Sequence, residues 1–350
     1  MEKNISAKNK SSEINTAGPS LRSKLKIYKK RADEIENYLS HKPDEWGKFQ
    51  AEFDAEVNSI FRDIMLFEKD NLAAGYEEKV YKLKKIFINR IRDLFLKGTY
   101  NEWSFRKPYG YAGDFKIIDD IYQNNPTSSG FSRLFDNYFQ ASATSAAVRN
   151  RKEDFKRLVT SFIRHSKGQP LSIMNLASGP CRELREILSS DKALCKEVIF
   201  DCYDQDEKAI EYAKKLLVGY SNINFIKENA LRIALKKNVL QLINKKYDLI
   251  YTTGLFDYLS ERVGIALVAN LKKLLNSNGM LAISTMRDRY SNPSVHYMEW
   301  VGDWNLVYRN EEEFKHIFID AGFSENELQI RYEQQGIMQY IIATKSNVQD

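Results

Sequence analysis

Cysteine is scarce in this sequence, and its three copies, Cys181, Cys195 and Cys202, exclude a disulfide framework and form no C-x-x-C pair. Two of them fall on or beside expected core elements, so they read as small buried thiols in a reducing compartment. Histidine is scarcer than its usual share: His41, His165, His296 and His316 are scattered without metal-ligand spacing, and no metal site is expected. No apolar run approaches the ~20 residues that a membrane helix needs, and the polar N-terminus is unlike a signal peptide. A cytoplasmic protein without a membrane span is therefore expected. The net charge of +6 is not gathered into a stripe. Lysines such as Lys24, Lys26, Lys29 and Lys30 interleave with helical apolar spacing, which is the pattern of a solvated face, and no nucleic-acid partner is expected.

What is present fits an ordinary globular chain of 350 residues, 43% hydrophobic and 29% charged, long enough for two domains. Residues 1–20 are polar and aperiodic and read as a disordered tail. From Leu21 helical spacing takes over. Trp46, Phe49, Phe53, Val57, Ile60 and Ile64 make one stripe; Tyr76, Val80, Leu83, Phe87, Ile91 and Leu94 make a second, with Gly98 placed to cap it. These stripes are too wide for a coiled-coil seam and predict a packed all-α domain. The stretch 103–123 holds Pro108, Gly110 and Gly113 among aromatics, which breaks the helix and places Tyr109, Tyr111 and Asp114 on or beside a loop. A short helix over 115–122 and a long one over 145–165 follow. Lys167-Gly168-Gln169-Pro170 marks the expected boundary, giving a helical substrate or lid domain over 21–168 and a second domain over 169–350.

The second half is organised around 171–206. An apolar run, Leu171–Leu176, breaks at Ala177-Ser178-Gly179-Pro180; helical spacing follows in Leu184, Ile187 and Leu188; a second apolar run ends in Asp204 and Asp206. Strand, glycine turn, helix, strand, acid opens a nucleotide-type α/β unit, in which the acid can hold two ribose hydroxyls. A dinucleotide fingerprint would need glycine at 177, 179 and 182, where Ala177, Gly179 and Arg182 stand, and no Walker lysine motif occurs. Further strands are expected over 224–227, 247–253 and 280–285, with a helix over 263–275 and a turn at Asn276–Gly279 between the last two. A closing antiparallel hairpin is expected from 327–333 and 336–345.

This pattern resembles the class I methyltransferases that bind S-adenosylmethionine. The resemblance implies a Rossmann-like α/β sheet of seven strands in the order 3-2-1-4-5-7-6, strand 7 antiparallel, behind an N-terminal all-α domain. It implies that Asn175, Ala177, Ser178 and Gly179 lie under the methionine part of the cofactor. Asp204 with Gln205 would hold the ribose, Asp206 being the competing acid or a helix N-cap. Asn229 and Ala230 would flank the adenine, and Thr253, Gly254 and Phe256 the methyl group and acceptor. Four pieces narrow the resemblance: KPYGYAGDF (107–115), NLASGPCRE (175–183), YDLIYTTGLFDYL (247–259) and MEWVGDWNLVYR (298–309). They are similar to the bacterial extracellular-factor 3-hydroxypalmitate methyl ester biosynthesis proteins, which implies methylation of a hydroxy-fatty-acid carboxylate. Asn175 departs from the acid that many methyltransferases carry there.

A carboxylate is ionised at pH 7 and needs no general base, only orientation by a donor fork and an apolar wall. Tyr109, Tyr111, Tyr258 and Arg309 are the candidates at the reacting centre; Asp114, Arg149, Trp300, Trp304 and Tyr308 are candidates for holding the substrate, with Arg151 as an alternative to Arg149. For the arginines a structural ion pair, and for the aromatics of 297–308 core packing, are the competing readings. The other functions left open are N- or O-methylation of another small metabolite and a nucleic-acid-binding or non-catalytic protein of the same fold. Against a base-amine methyltransferase, 253–256 lacks an Asn/Asp-Pro-Pro-Tyr/Phe run.

Overall fold

The computed structural model describes residues 19–166, 168–191 and 193–346. The tail expected over 1–20 lies outside the described residues but for its last two, which open the first helix. In chain order the helices are α1 (Pro19–His41), α2 (Gln50–Ala73), α3 (Glu77–Arg90), α4 (Thr99–Arg106), α5 (Phe115–Gln123), α6 (Gly130–Ala141) and α7 (Ala143–His165). Strand and helix then alternate through β1 (Leu171–Leu176), α8 (Arg182–Ser190), β2 (Val198–Asp204), α9 (Glu207–Leu216), β3 (Ile223–Lys227), α10 (Ala230–Leu235), β4 (Tyr247–Thr252), α11 (Glu261–Leu274) and β5 (Leu275–Met286). After α12 (Val295–Trp300) and α13 (Glu311–Asp320) the chain ends in β6 (Leu328–Tyr332) and β7 (Met338–Thr344). No described helix is long and apolar enough to cross a membrane.

The chain divides into two units, neither of them contiguous in sequence. The helical unit takes residues up to 117 together with Asn124–Ser145 and Asn292–Asn305; the sheet unit takes Ile118–Gln123, Ala146–Ser291 and the chain from Leu306 onward. The sequence reading drew one boundary near 168 instead. The difference has a physical source: the apolar stripe of α7 is filled from the sheet side, where Phe155 meets the rings of Tyr251 (6.1 Å) and Tyr340 (5.3 Å). Conversely, Tyr297, Trp300 and Val301 of α12 and its end are core residues of the helical unit, beside Phe61, Phe87 and Tyr138.

Gly98 does not cap α3, which stops at Arg90. It stands before α4 at φ +82, where a Cβ would lie 2.7 Å from Asp136 Oδ1. That carboxylate accepts from Thr99 N (2.7 Å), Thr127 N (3.1 Å) and Ser128 N (2.8 Å), so a side chain at 98 would displace the acceptor of three backbone donors.

In the sheet unit the strands run β3-β2-β1-β4-β5-β7-β6, with β7 antiparallel to both neighbours, as the sequence predicts. Parallel strands buried on both faces need near-continuous apolar runs, and β1, β2 and β4 supply them. One face is closed by α11 and α13 through Leu267, Leu271, Phe314 and Ile317 over Ile250, Leu281 and Ile283. The turn expected at Asn276–Gly279 is instead the first part of β5: Leu275 already pairs with Tyr247, and the register shifts before Leu249↔Met280. A Cβ on Gly279 would meet Asn276 O at 2.9 Å and Tyr247 O at 3.1 Å, so glycine is what lets the bulge pass. The strand order reverses between β1 and β4, and the carboxyl ends of those two strands are where open α/β sheets place a ligand.

Candidate functional site

The loop after β1 alternates in hand. Ala177 (φ 53), Gly179 (φ 52) and Cys181 (φ 54) are all left-handed, and Cys181 is the N-cap of α8. Two of the three carry a Cβ there, at roughly 1–2 kcal/mol each. Gly179 is not squeezed by protein, since a Cβ on it would meet no atom within 4 Å. The loop is pinned to the next strand by Ser178 N donating to Tyr203 O (3.0 Å).

Asp204 ends β2 and binds the same loop: its Oδ2 accepts from Gly179 N (2.8 Å) and its Oδ1 from Asp206 N (2.9 Å). Burial raises its pKa above the ordinary value, and those two N–H groups act in the opposite sense. Asp206 accepts from Lys208 N (2.9 Å) as the N-cap of α9. Asn229 caps α10 through Leu231 N (2.7 Å), and its Nδ2 donates to Gln205 Oε1 (2.9 Å), joining the rims of β2 and β3. Ala230 is the first residue of that helix. The structure thus brings Ala177, Ser178, Gly179, Asp204, Gln205, Asn229 and Ala230 to one sheet edge.

Asn175 meets an acid that sequence reading passed over. Its Nδ2 donates to Glu183 Oε1 (2.9 Å), which also accepts from Tyr251 OH (3.1 Å). Glu183 is buried in the first turn of α8, and desolvation raises its pKa. The native state then keeps its proton to a higher pH than the unfolded chain. Stability is therefore lost as pH rises from the ordinary 4.5 toward the raised native value. Glu183→Gln keeps an acceptor for both donors and removes the titration. Its melting temperature should gain on wild type steadily as pH is raised through that window, and parallel curves would show that the carboxyl titrates alike in the native and unfolded states, with no raised pKa.

Beyond β4 lie Thr253, Gly254 and a tight turn. Phe256 is wholly buried, its ring 6.3 Å from that of Phe314 in the apolar core. Asp257, also buried, accepts from Met286 N (2.6 Å) and Thr285 Oγ1 (3.2 Å). Arg309 closes the turn: Nη1 donates to Phe256 O (2.7 Å) and Nη2 to Leu259 O. That is the structural reading of Arg309. Tyr258 is 46% exposed, and Tyr308 lies under the guanidinium of Arg289 at 5.6 Å. Arg149 is half-buried, with Nη1 3.5 Å from Ile121 O, and desolvation lowers its pKa.

The remaining sequence-derived candidates belong to the helical unit. Asp114 is a cap: Oδ1 accepts from Lys116 N (2.9 Å) and Ile117 N (3.0 Å), and Oδ2 from Trp103 Nε1 (2.7 Å). Tyr109 packs on Trp103 (5.9 Å) and Phe115 (4.8 Å), and Tyr111 follows on the same half-buried loop. Trp300 is core, 5.3 Å from the ring of Phe87, and Trp304 is buried.

Sequence reading also missed Asp119. It accepts from Arg182 Nε and Nη2 (2.7 Å for the latter) and from Tyr212 OH (2.5 Å), so the second half of α5 is fastened to the start of α8 and the middle of α9. Nothing in Lys116-Ile117-Ile118-Asp119-Asp120 tells a buried acid from a solvated one.

No family model matches the sequence, and no curated protein matches it. The strand order and the antiparallel β7 are those of the class I methyltransferase fold. Among solved structures, the chain is similar to a possible exported protein from Bordetella parapertussis: 15% identity, 94% of this chain and 99% of that one, TM-score 0.54. It is also similar to magnesium protoporphyrin IX methyltransferase from Synechocystis PCC 6803 with bound S-adenosylhomocysteine, at 12% identity over 70% of this chain and 98% of that one, TM-score 0.47. A third, the N-methyltransferase NodS from Bradyrhizobium japonicum, gives 14% identity over 57% and 98%, TM-score 0.38. At such identities the likeness is one of fold.

Proposed function

We propose that the chain is an S-adenosylmethionine-dependent methyltransferase of a small molecule, with a hydroxy-fatty-acid-type carboxylate as its acceptor. The observation that carries the reading is Asp204. It is a buried acid at the carboxyl end of β2, each oxygen held by one loop N–H and retaining lone pairs for a vicinal diol. The residues fit the cofactor. Gly179 has no protein atom within 4 Å of a would-be Cβ, and Gln205 and Asn229 form a polar rim where an adenine would be read.

The bound cofactor would supply a methyl group on a sulfonium, transferred in line to the acceptor oxygen. The chain's own part is to hold the two partners close and collinear, which is worth about 7–11 kcal/mol when well done. A carboxylate acceptor needs no base, and a buried guanidinium with an idle donor near β4, that of Arg151, suits an anion better than an amine. The fatty-acid assignment rests on the resemblance of the four sequence pieces, above all 107–115 and 298–309.

Calorimetric titration of the full chain with S-adenosylhomocysteine tests the cofactor, with micromolar binding expected. Incubation with methyl-labelled S-adenosylmethionine and a series of fatty and hydroxy-fatty acids should then give base-labile methyl esters. Label transferred to amines or phenols instead would discard the carboxylate acceptor.

A further inference from the structure

The arginines of the sheet unit differ in how completely they are satisfied. Arg309 spends both terminal nitrogens on carbonyls, and Arg182 spends Nε and Nη2 on Asp119. Arg151, on α7, is as buried as Arg309, at 4% exposure, and is not satisfied in this way. Its Nη1 is 3.7 Å from Asp257 Oδ2, too far for a hydrogen bond, and Asp257 is already committed to Met286 N and Thr285 Oγ1. The hydroxyl oxygen of Tyr122 accepts one hydrogen bond from it. Among the described residues Nε has no partner at all. A buried guanidinium with a distant counter-charge and an idle donor is costly unless something completes it.

Its position says where that completion comes from. Arg151 Nη1 lies 3.3 Å from the place a Cβ on Gly254 would take, so the fork lies against the backbone just past β4, at the carboxyl edge of the sheet. We infer that Arg151 is a carboxylate-binding residue of the site, its planar fork receiving an acid that arrives beside Gly254. The inference rests on the proposed methyltransferase function. Two carboxylates meet at that edge in such an enzyme, the amino-acid end of the donor and the acid of the acceptor, and they share this chemistry.

The test compares wild type, Arg151→Gln and Arg151→Lys by calorimetry, with S-adenosylhomocysteine, its decarboxylated analogue, a 3-hydroxy fatty acid and the methyl ester of that acid. If the donor's carboxylate is the ligand, the glutamine variant loses about thirtyfold or more in S-adenosylhomocysteine affinity, and the decarboxylated analogue is bound alike by both proteins. If the acceptor's is, S-adenosylhomocysteine binding is unchanged, while the acid, bound by wild type in preference to its ester, is lost by about the same factor. Arg151→Lys keeps the charge without the fork and should fall between, which guards against a glutamine variant that fails to fold. A folded glutamine variant that binds both ligands as wild type does overturns the inference. Wild type that binds no S-adenosylhomocysteine sinks the methyltransferase function instead, and the acid titration still decides for or against Arg151.

Discussion

Asp204→Ala is expected to weaken S-adenosylhomocysteine binding at least about a hundredfold while the sheet unit stays folded. The diol of a ribose would donate two charge-assisted hydrogen bonds to this carboxylate, each worth about 1.5–3 kcal/mol, and every ~1.4 kcal/mol is a factor of ten. The substitution also frees Gly179 N and Asp206 N, both of which can turn to water at a loop. Asp204→Asn keeps the shape and one acceptor and should lose less, about tenfold. Because burial raises the pKa of Asp204, binding should also begin to fail on acidification above the range of an ordinary aspartate. Unchanged affinity in Asp204→Ala, measured by calorimetry, would remove the cofactor assignment at its central residue.

Arg309→Met should have the largest effect on stability. It takes the guanidinium donor from Leu259 O and from Phe256 O, leaving the latter only the long bond from Leu259 N (3.4 Å), and takes one of two cations from beside Asp257, all in a buried turn. Removing one member of such a buried charged set costs about 3–5 kcal/mol. For a unit of this size that is a fall of about 10 °C in melting temperature. Arg309→Lys separates the two roles this residue was given. If the guanidinium is a clasp, lysine melts early and turns over in proportion to the folded fraction. If it touches the acceptor, lysine melts near wild type and loses turnover.

Much of the sheet unit is legible in its residues. β1 is bounded by Pro170 on one side and Ala177-Ser178-Gly179-Pro180 on the other, and the observed strand fills that interval. The start of β5 is not legible, because Asn276-Ser277-Asn278-Gly279 has turn composition and only the partner strand, through Tyr247, makes it a bulge. The acids divide in the same way. Asp204 and Asp206 were separable as candidates by their place after an apolar run. Asp119 and Glu183, on helices with charged neighbours, became visible only through what buries them. The partition of α7 and α12 between units follows the same rule: an apolar stripe announces that a helix packs, and is silent about what it packs against.

The interleaving of the two units has a consequence for how the chain is made. Trp300 and Val301, which complete the core around Phe61 and Phe87, emerge from the ribosome only after β1 to β5. At roughly 5–20 residues per second, the early helices wait some tens of seconds or less with that part of their core missing. They do so while the strands meant to pair with one another are being extruded beside them. Until residue 301 is made the core of those helices is incomplete, and a gene cut at codon 168 would leave its product in that unfinished condition for good.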